Sequence, residues 1–200
     1  MKKNNQYLKE ILESIELKRK LINLNKEVYI AIKKIFITIK KGGKVFICGN
    51  GGSAADAQHL SAEFLVRLNP DKDRRPLPII SLAMDTSTLT ACGNDYGFKY
   101  IFSRNLEALG SKKDLLIVIS TSGNSTNIIE VLKKSKKMKI FSIAFLGCQG
   151  GEAKKLSNLN LLVPYFSVAR IQECHIFLGH FILGRVEDKL FFNKKTRNMK

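Results

Sequence analysis

Five short apolar segments recur after Gly43, and each is followed by a turn of small or polar residues and then by a helical pattern. The segments are Lys44–Cys48, Ile79–Ala83, Leu115–Ile119, Lys139–Phe145 and Leu159–Val163. Apolar strands that alternate with helices predict a parallel sheet covered by helices on both faces. Ligands of such a sheet bind beyond the carboxyl ends of its strands. The residues that follow each segment are therefore where we look for chemistry.

The first forty residues carry a long amphipathic helical pattern, with no proline and no glycine until Gly42. Apolar side chains recur every three or four residues from Leu8 to Phe36, which predicts one long helix or two. Because a single helix cannot bury its own apolar stripe, this one must pack on the rest of the chain or on another subunit, and we favour oligomerisation. We divide the chain into a helical arm (residues 1–42), a main domain (43–190) and a basic tail (191–200).

The chain is strongly basic, with 34 Lys and Arg against 17 Asp and Glu. The surplus lies on helix flanks and ends without the interleaved aromatic residues that single-strand binders use, so we do not expect nucleic acid as a partner. No apolar run reaches the ~18 residues of a membrane helix, and the basic start lacks the apolar core of a signal peptide. The four cysteines stand singly, which favours reduced thiols. We expect a cytoplasmic protein that makes no membrane contact.

The first turn, Gly49–Ser53, reads GNGGS and lies between strand Val45–Cys48 and a helix. Its glycines allow the backbone to approach a ligand closely, and the N-terminus of the following helix can bind an anion. Ser53 and Asp56 also fit a capping box, which would make the turn purely structural. The turn lacks the GKS or GKT ending of a nucleotide P-loop. We expect it to contact a ligand other than a nucleotide.

The second turn, Ser120–Ser125, reads STSGNS and separates strand Leu115–Ile119 from the helix Thr126–Lys136. Four hydroxyl groups, a glycine and an open helix N-terminus can surround a phosphate without any lysine. The structural alternative is a serine-rich helix cap, which needs only one such residue. Four hydroxyls exceed that need, so we expect a phosphate site.

Two predicted helices carry further candidate residues. His59 and Glu63 are one turn apart on the helix after GNGGS, a spacing that suits a metal ion or acid–base chemistry but more often marks a solvated surface pair. Gln172 and His180 lie on the final helix, from about Ala169 to Asp188, and are separated by about 12 Å along its axis. One ion could join them only if both side chains lean inward. We interpret His175 as structural.

Five motifs in this order resemble the sugar isomerase (SIS) domain family, and within it the phosphoheptose isomerases. The motifs are GNGGSAADAQHLSAEF (Gly49–Phe64), GNDYGF (Gly93–Phe98), FSRNLEALG (Phe102–Gly110), STSGNS (Ser120–Ser125) and ARIQECHIFLGH (Ala169–His180). The resemblance implies an α/β fold, a three-layer α-β-α sandwich with a five-stranded parallel sheet of the flavodoxin-like kind. It further implies a homotetramer whose active sites lie between subunits.

The activity that the resemblance implies is an intramolecular oxidoreduction, the isomerisation of D-sedoheptulose 7-phosphate to D-glycero-D-manno-heptose 7-phosphate. This is the first step toward the activated heptose of lipopolysaccharide core or capsule. Glu63 would act as the base and His180 as the acid. One zinc ion per subunit would be held by His59, Glu63, Gln172 and His180. The substrate contacts would be Asn50, Gly51, Gly52, Ser53, Glu63, Asn94, Asp95, Ser120, Thr121, Ser122, Ser125 and Gln172.

Two other function classes fit the same domain. A non-catalytic SIS module could bind the replication initiator DnaA or sense sugar phosphates, and the basic charge favours it slightly. The sequence shows no helix-turn-helix pattern, however, and such a module has no reason to keep Glu63, Gln172 and His180 together. An aminosugar-phosphate isomerase or lyase is the nearer enzymatic alternative. We favour the phosphoheptose isomerase.

Overall fold

The computed structural model describes residues 3–192, with side chains from residue 5 onward, so most of the predicted basic tail (193–200) lies outside the described residues. The predicted arm forms helices α1 (Lys3–Lys20) and α2 (Asn25–Lys40), which are joined by a 3₁₀ turn at Leu21–Leu24. Of the two alternatives for this segment, two helices is therefore the correct one.

The main domain alternates strands and helices as the sequence predicts. Its strands are β1 (Val45–Gly49), β2 (Ile79–Ser81), β3 (Leu115–Ser120), β4 (Phe141–Gly147) and β5 (Leu159–Val163). The helices are α3 (Gly52–Leu65), α4 (Thr86–Asp95), α5 (Ile101–Leu109), α6 (Thr126–Lys137), α7 (Ala153–Leu156) and α8 (Val168–Glu187), with a 3₁₀ turn at Phe98–Tyr100 and a π-helical turn at Asp188–Phe192.

The five strands form one parallel sheet in the order β2-β1-β3-β4-β5. The chain runs from β1 outward to β2 and then crosses to β3 on the other side of β1, so the switch in direction lies between β1 and β3. Ligands of doubly wound sheets bind at such a switch point. Gly49 pairs with Ile119, which brings the turns that follow these two strands side by side. The predicted fold class is confirmed.

Apolar side chains cover both faces of the sheet. On one face, Ile35 of α2, Phe64 of α3 and Leu178 of α8 belong to a single buried cluster. On the other face, Phe102 of α5 and Val131 of α6 belong to a second one. These two clusters make the sheet the central layer, with α3 and α8 packed on one face and α6 on the other.

The fourth strand begins two residues later than the sequence predicts, at Phe141 instead of Lys139. Lys139 has a φ of 59°, and the amide of Ile140 donates to the carbonyl of Ser135 at 2.8 Å. These two residues therefore still close the C-terminus of α6, where a left-handed residue is common. Ile140, which is apolar and β-branched, resembled the start of a strand.

The helical arm is divided between the core and the surface. The side chains of Ala31, Ile32 and Ile35 on α2 are fully buried. Helix α1 contacts α8 through polar groups, because the hydroxyl of Ser14 donates to Glu173 at 2.9 Å. Its apolar stripe is exposed, including Tyr7, Leu8, Ile11, Leu12 and Ile15. The arm thus packs on its own domain through α2 and through Leu17 of α1, and the stripe from Tyr7 to Ile15 stays uncovered in a single chain.

Within residues 3–192, no helix has both the length and the apolar character that crossing a membrane requires. All four cysteines fall in this part of the chain and are free thiols, as predicted.

Candidate functional site

The turn after β1 brings backbone groups to the switch point. Gly51, with a φ of 55°, is the N-cap of α3, and the amide of Ser53 donates to the carbonyl of Asn50 at 3.0 Å. The capping-box alternative is wrong, because Ser53 lies inside the first turn of α3 and not at its N-cap. Among the described atoms, Oδ2 of Asp56 is buried without a hydrogen-bond partner. No side chain described in the structure caps α3, but the amides of Ser53 and Ala54 already donate to the carbonyls of Asn50 and Gly51, so what this helix start offers an anion is the positive end of its dipole.

The turn after β3 is held by two of its own hydroxyls. Ser120 Oγ accepts from the amide of Gly123 at 3.0 Å, and Ser122 Oγ accepts from the amide of Asn124 at 3.2 Å. Ser125 is the N-cap of α6, but none of the described side chains makes a capping hydrogen bond there. The serine-rich cap therefore does not account for this turn, which keeps the amino end of α6 open toward the first turn.

The loop after β4 holds the second turn in place through two hydrogen bonds. The carbonyl of Gly123 accepts from the amide of Ala153 at 2.9 Å, and the side chain of Asn124 accepts from the amide of Glu152 at 3.0 Å. Gly123 has a φ of 68°, and a Cβ atom there would lie 2.0 Å from the carbonyl oxygen of Gly150. Only glycine fits this position, so the shape of the turn depends on it.

A reciprocal amide pair joins the two turns. Asn50 and Asn127 each donate from Nδ2 to the other's Oδ1, and both distances are 2.8 Å. Asn127 is buried on the first turn of α6. Sequence reasoning missed it, because an asparagine inside a helix pattern gives no sign of a partner 77 residues away. That this asparagine is buried at the start of α6 becomes visible only in the structure.

A cavity of about 260 Å³ lies between the two turns and the start of α8. It is lined by Asn50, Gly52, Ser53, Ile119, Ser120, Thr121, Ser122, Ser125, Val168 and Gln172. The structure thus brings together most of the residues predicted to contact substrate. Gln172 packs so closely against the first turn that a Cβ atom on Gly52 would lie 2.5 Å from its Nε2 atom.

Asn94 and Asp95 lie outside this cavity. They form the exposed end of α4, where Nδ2 of Asn94 donates to the Asp95 carboxylate at 2.8 Å. Within a single chain these two residues are therefore not joined to the other predicted substrate contacts.

His59, Glu63 and His180 form one cluster on the facing sides of α3 and α8. The Nε2 atoms of His59 and His180 are 2.8 Å apart, and Nε2 of His59 is 3.5 Å from Oε1 of Glu63. One ligand atom from each of the three residues lies within 4.8 Å of the others. Burial lowers the pKa of His180, nearby His59 lowers it further, and Glu63 opposes both. Sequence spacing predicted the pair on α3, the family resemblance predicted that His180 joins it, and the structure brings His180 to the pair.

These three donors suit a catalytic zinc ion. Zinc takes imidazole nitrogen and carboxylate oxygen, and its catalytic sites use three protein ligands with a further position open. Two imidazoles and a carboxylate match the donor types that such an ion prefers. Gln172 is the fourth residue predicted as a ligand, and it lies two turns earlier on α8.

His175 lies on the side of α8 that packs on the sheet, in contact with β4, and is fully buried. Its Nε2 atom donates to the carbonyl of Leu146 at 3.1 Å, and burial lowers its pKa to about 4. A neutral imidazole bonded to the end of β4 agrees with the structural role predicted for it.

A larger cavity of about 540 Å³ lies between α5 and α6, and none of the predicted site residues lines it. Its two glutamates are already paired with its lysines, Glu107 with Lys134 at 2.7 Å and Glu130 with Lys133 at 3.0 Å. The predicted site residues described above therefore lie at the β1–β3 switch point and in the α3–α8 cluster, and not in this larger cavity.

Comparison with known proteins finds relatives that are named phosphoheptose isomerases. The family model described as SIS domain matches residues 6–147. The phosphoheptose isomerase of Campylobacter concisus is 50% identical over 167 residues, which cover 84% of this chain and 87% of that protein. The phosphoheptose isomerase of Aquifex aeolicus is 48% identical over 177 residues, which cover 88% of this chain and 92% of that protein.

Solved structures give the same result. A phosphoheptose isomerase from Neisseria gonorrhoeae superposes with a TM-score of 0.86 at 38% identity, covering 92% of this chain and 98% of the other. One from Francisella tularensis has a TM-score of 0.89 at 34% identity, covering 94% of this chain and all of the other.

Proposed function

This chain belongs to the SIS domain family, among the phosphoheptose isomerases, and on that basis we propose that it converts D-sedoheptulose 7-phosphate to D-glycero-D-manno-heptose 7-phosphate. The observation that carries the proposal is that the two helices that carry the His59–Glu63–His180 cluster, α3 and α8, also line the cavity of the two turns, through Gly52, Ser53 and Gln172. A phosphate site and an acid–base group on the same pair of helices are what an aldose–ketose isomerase of a sugar phosphate needs.

The phosphate is proposed to bind at the second turn. Ser120, Thr121, Ser122 and Ser125 supply hydroxyl groups, and the open amino end of α6 supplies N–H groups and a favourable dipole. Asn50, Gly51 and Gly52 of the first turn would hold the sugar chain on the opposite wall. Binding at both turns fixes the direction in which the sugar extends.

Proton transfer is assigned to Glu63 and His180. The Glu63 carboxylate would take a proton from C1 of the ketose and, after exchange with solvent, deliver one to C2, while His180 would give a proton to the carbonyl oxygen at C2. As the aldehyde forms, the C1 hydroxyl would return a proton to His180, so atoms and charge balance through an enediol and both groups end as they began. The distance of 3.5 Å between the carboxylate and His59 supports a shared site for these groups.

We propose that His59, Glu63, Gln172 and His180 hold one zinc ion. A bound zinc ion would supply a Lewis acid that polarises the substrate oxygens. The imidazole and carboxylate donors support this choice of metal, and Gln172 would bring a neutral oxygen from the cavity side.

The assembly is proposed to be a homotetramer with active sites between subunits. The exposed apolar stripe of α1 supports it, because monomers rarely leave so many large apolar side chains uncovered on one face. Asn94 and Asp95, exposed in a single chain, would be completed as substrate contacts in that assembly. The substrate is a charged metabolite, so we place the reaction in the cytoplasm, on a route to the heptose of lipopolysaccharide core or capsule.

The test is NMR of the purified protein with sedoheptulose 7-phosphate in D2O, with and without a chelator. We expect the aldoheptose phosphate with deuterium at C2, loss of product with chelator, and recovery with zinc. Glu130→Gln on α6, a carboxylate outside the site, is the matched control for Glu63→Gln. If the protein binds the sugar phosphate but makes no product, the isomerase proposal is wrong and a sensing or DnaA-binding module takes its place.

A further inference from the structure

Arg74 lies in the loop between α3 and β2, and its side chain is completely buried. Its guanidinium donates to three backbone carbonyls at the end of α3: Glu63 at 2.8 Å, Phe64 at 2.8 Å and Val66 at 3.2 Å. The last carbonyls of a helix lack partners inside the helix, and a cation there also meets the negative end of the dipole. Arg74 therefore caps the end of α3 at the backbone of Glu63 itself.

The same guanidinium joins α3 to α8. Its Nε atom donates to Oε1 of Glu187 at 2.6 Å, and the Glu187 side chain is 2% exposed. Glu187 is the last residue of α8, seven residues and about 10 Å beyond His180. The buried pair thus connects the ends of the two helices that carry the metal-ligand candidates.

A second contact between these helices lies beside the cluster. A Cβ atom on Gly179 would be 2.6 Å from Leu60, so α3 and α8 cross closely next to His59 and His180. One close contact lets two helices pivot about each other. A second contact farther along, at Arg74 and Glu187, sets the angle between them and hence the spacing of the ligand atoms.

Stability alone gives a weak reason for this pair. A buried ion pair is often no more stabilising than apolar residues of the same volume, because both charges lose their hydration. The planar fork of arginine, by contrast, satisfies several acceptors in one plane, which lysine cannot do. Because Arg74 donates to the Glu63 carbonyl, its role is better explained by fixing the position of this part of α3 than by stability.

We propose that Arg74 and Glu187 are positioning residues that hold Glu63 on α3 at the correct distance from His180 on α8. This inference rests on the proposed isomerase and its metal site. Arg74 and Glu187 touch neither substrate nor metal, so they act only through the ligands. Groups that hydrogen-bond the ligating side chains change metal affinity by about 10- to 100-fold when they are replaced. Arg74 acts one step farther away, through the backbone of Glu63, so we expect an effect at the lower end of that range.

The test compares Arg74→Lys, Glu187→Gln and the control Lys72→Met with the wild type. Lys72 pairs with Asp188 at 2.7 Å, which also connects this loop to the end of α8, but it makes no contact with the end of α3. Circular dichroism selects a temperature at which all four proteins are folded. Zinc affinity is then measured by competition with a chromogenic chelator, and kcat and KM are measured with sedoheptulose 7-phosphate.

We expect Arg74→Lys to weaken zinc binding about tenfold or more and to lower kcat, with Glu187→Gln intermediate. KM should stay within about twofold, because the phosphate turns after β1 and β3 are untouched. Lys72→Met should match the wild type in all three measurements. The separation of kcat from KM distinguishes positioning from a general loosening of the fold.

Wild-type zinc affinity and kcat in folded Arg74→Lys would overturn the inference while leaving the isomerase intact. Equal losses in Arg74→Lys and Lys72→Met, or a rise in KM that matches the fall in kcat, would overturn it as well. A wild-type protein that neither binds zinc nor isomerises the sugar would refute the proposed function and, with it, this inference.

Discussion

Replacing Asn127 by alanine removes one half of the amide pair that joins the two turns of the site. Both lost hydrogen bonds are 2.8 Å long, and Asn127 is buried. A neutral hydrogen bond contributes about 1 kcal/mol net, so we expect a loss of about 2 kcal/mol in the free energy of unfolding. With a urea dependence of about 2 kcal/mol per molar, the unfolding midpoint falls by about 1 M.

The same substitution frees the amide of Asn50 to rotate away from the cavity. If Asn50 loses one hydrogen bond to the sugar phosphate, KM rises about fivefold, since about 1 kcal/mol of binding is lost. Urea unfolding at one protein concentration gives the stability, and steady-state kinetics gives KM. Ser135→Ala is the matched control on α6, because that buried hydroxyl donates only to the carbonyl of Leu132 at 2.8 Å and lies away from the turns.

A double-mutant cycle of Asn50→Ala and Asn127→Ala decides whether the pair acts as a unit. Residues in direct contact show coupling of about 0.5 to 3 kcal/mol, whereas independent sites add within about 0.5 kcal/mol. Additive losses, or an unchanged KM in Asn127→Ala, would refute the idea that Asn127 holds Asn50 in place. A KM rise in Ser135→Ala would attribute the effect to α6 as a whole.

Three further substitutions test other parts of the argument. Glu63→Gln should abolish turnover and leave the oligomer intact by size-exclusion chromatography; near wild-type activity would contradict its assignment as the base. Gly123→Ala should raise KM for the sugar phosphate several-fold in kinetic assays, because its Cβ atom would meet the carbonyl oxygen of Gly150 at 2.0 Å; an unchanged KM would mean that the turn tolerates another shape. His175, whose pKa burial lowers to about 4 against 6.5 unfolded, favours its neutral form when folded, so its contribution is present above pH 6.5 and is lost as pH falls toward 4. Between pH 7 and 5 the wild type should lose about 2 kcal/mol more than His175→Gln in urea unfolding, and equal losses would count against this burial effect.

The strands could be predicted because each is a short apolar run followed by a turn signal. The error at β4 came from Lys139, whose left-handed conformation is a property of the α6 C-terminus and has no mark in the local pattern. The two turns after β1 and β3 were found for a similar reason, since glycines and hydroxyls between a strand and a helix are local features. The arm was predicted as a helix, but its division into a buried α2 and an exposed α1 depends on contacts with α8.

Residue order alone determined the alternation of strands and helices, the two turns and the pairing of His59 with Glu63, because each of these rests on neighbours within a few positions. The tertiary structure decided which distant residues meet. His180 joins a cluster 121 positions away, Asn127 pairs with Asn50, and Arg74 connects the end of α3 to Glu187. Such contacts follow from the crossover of the sheet and the packing angle of two helices, which depend on the whole core and not on any local segment.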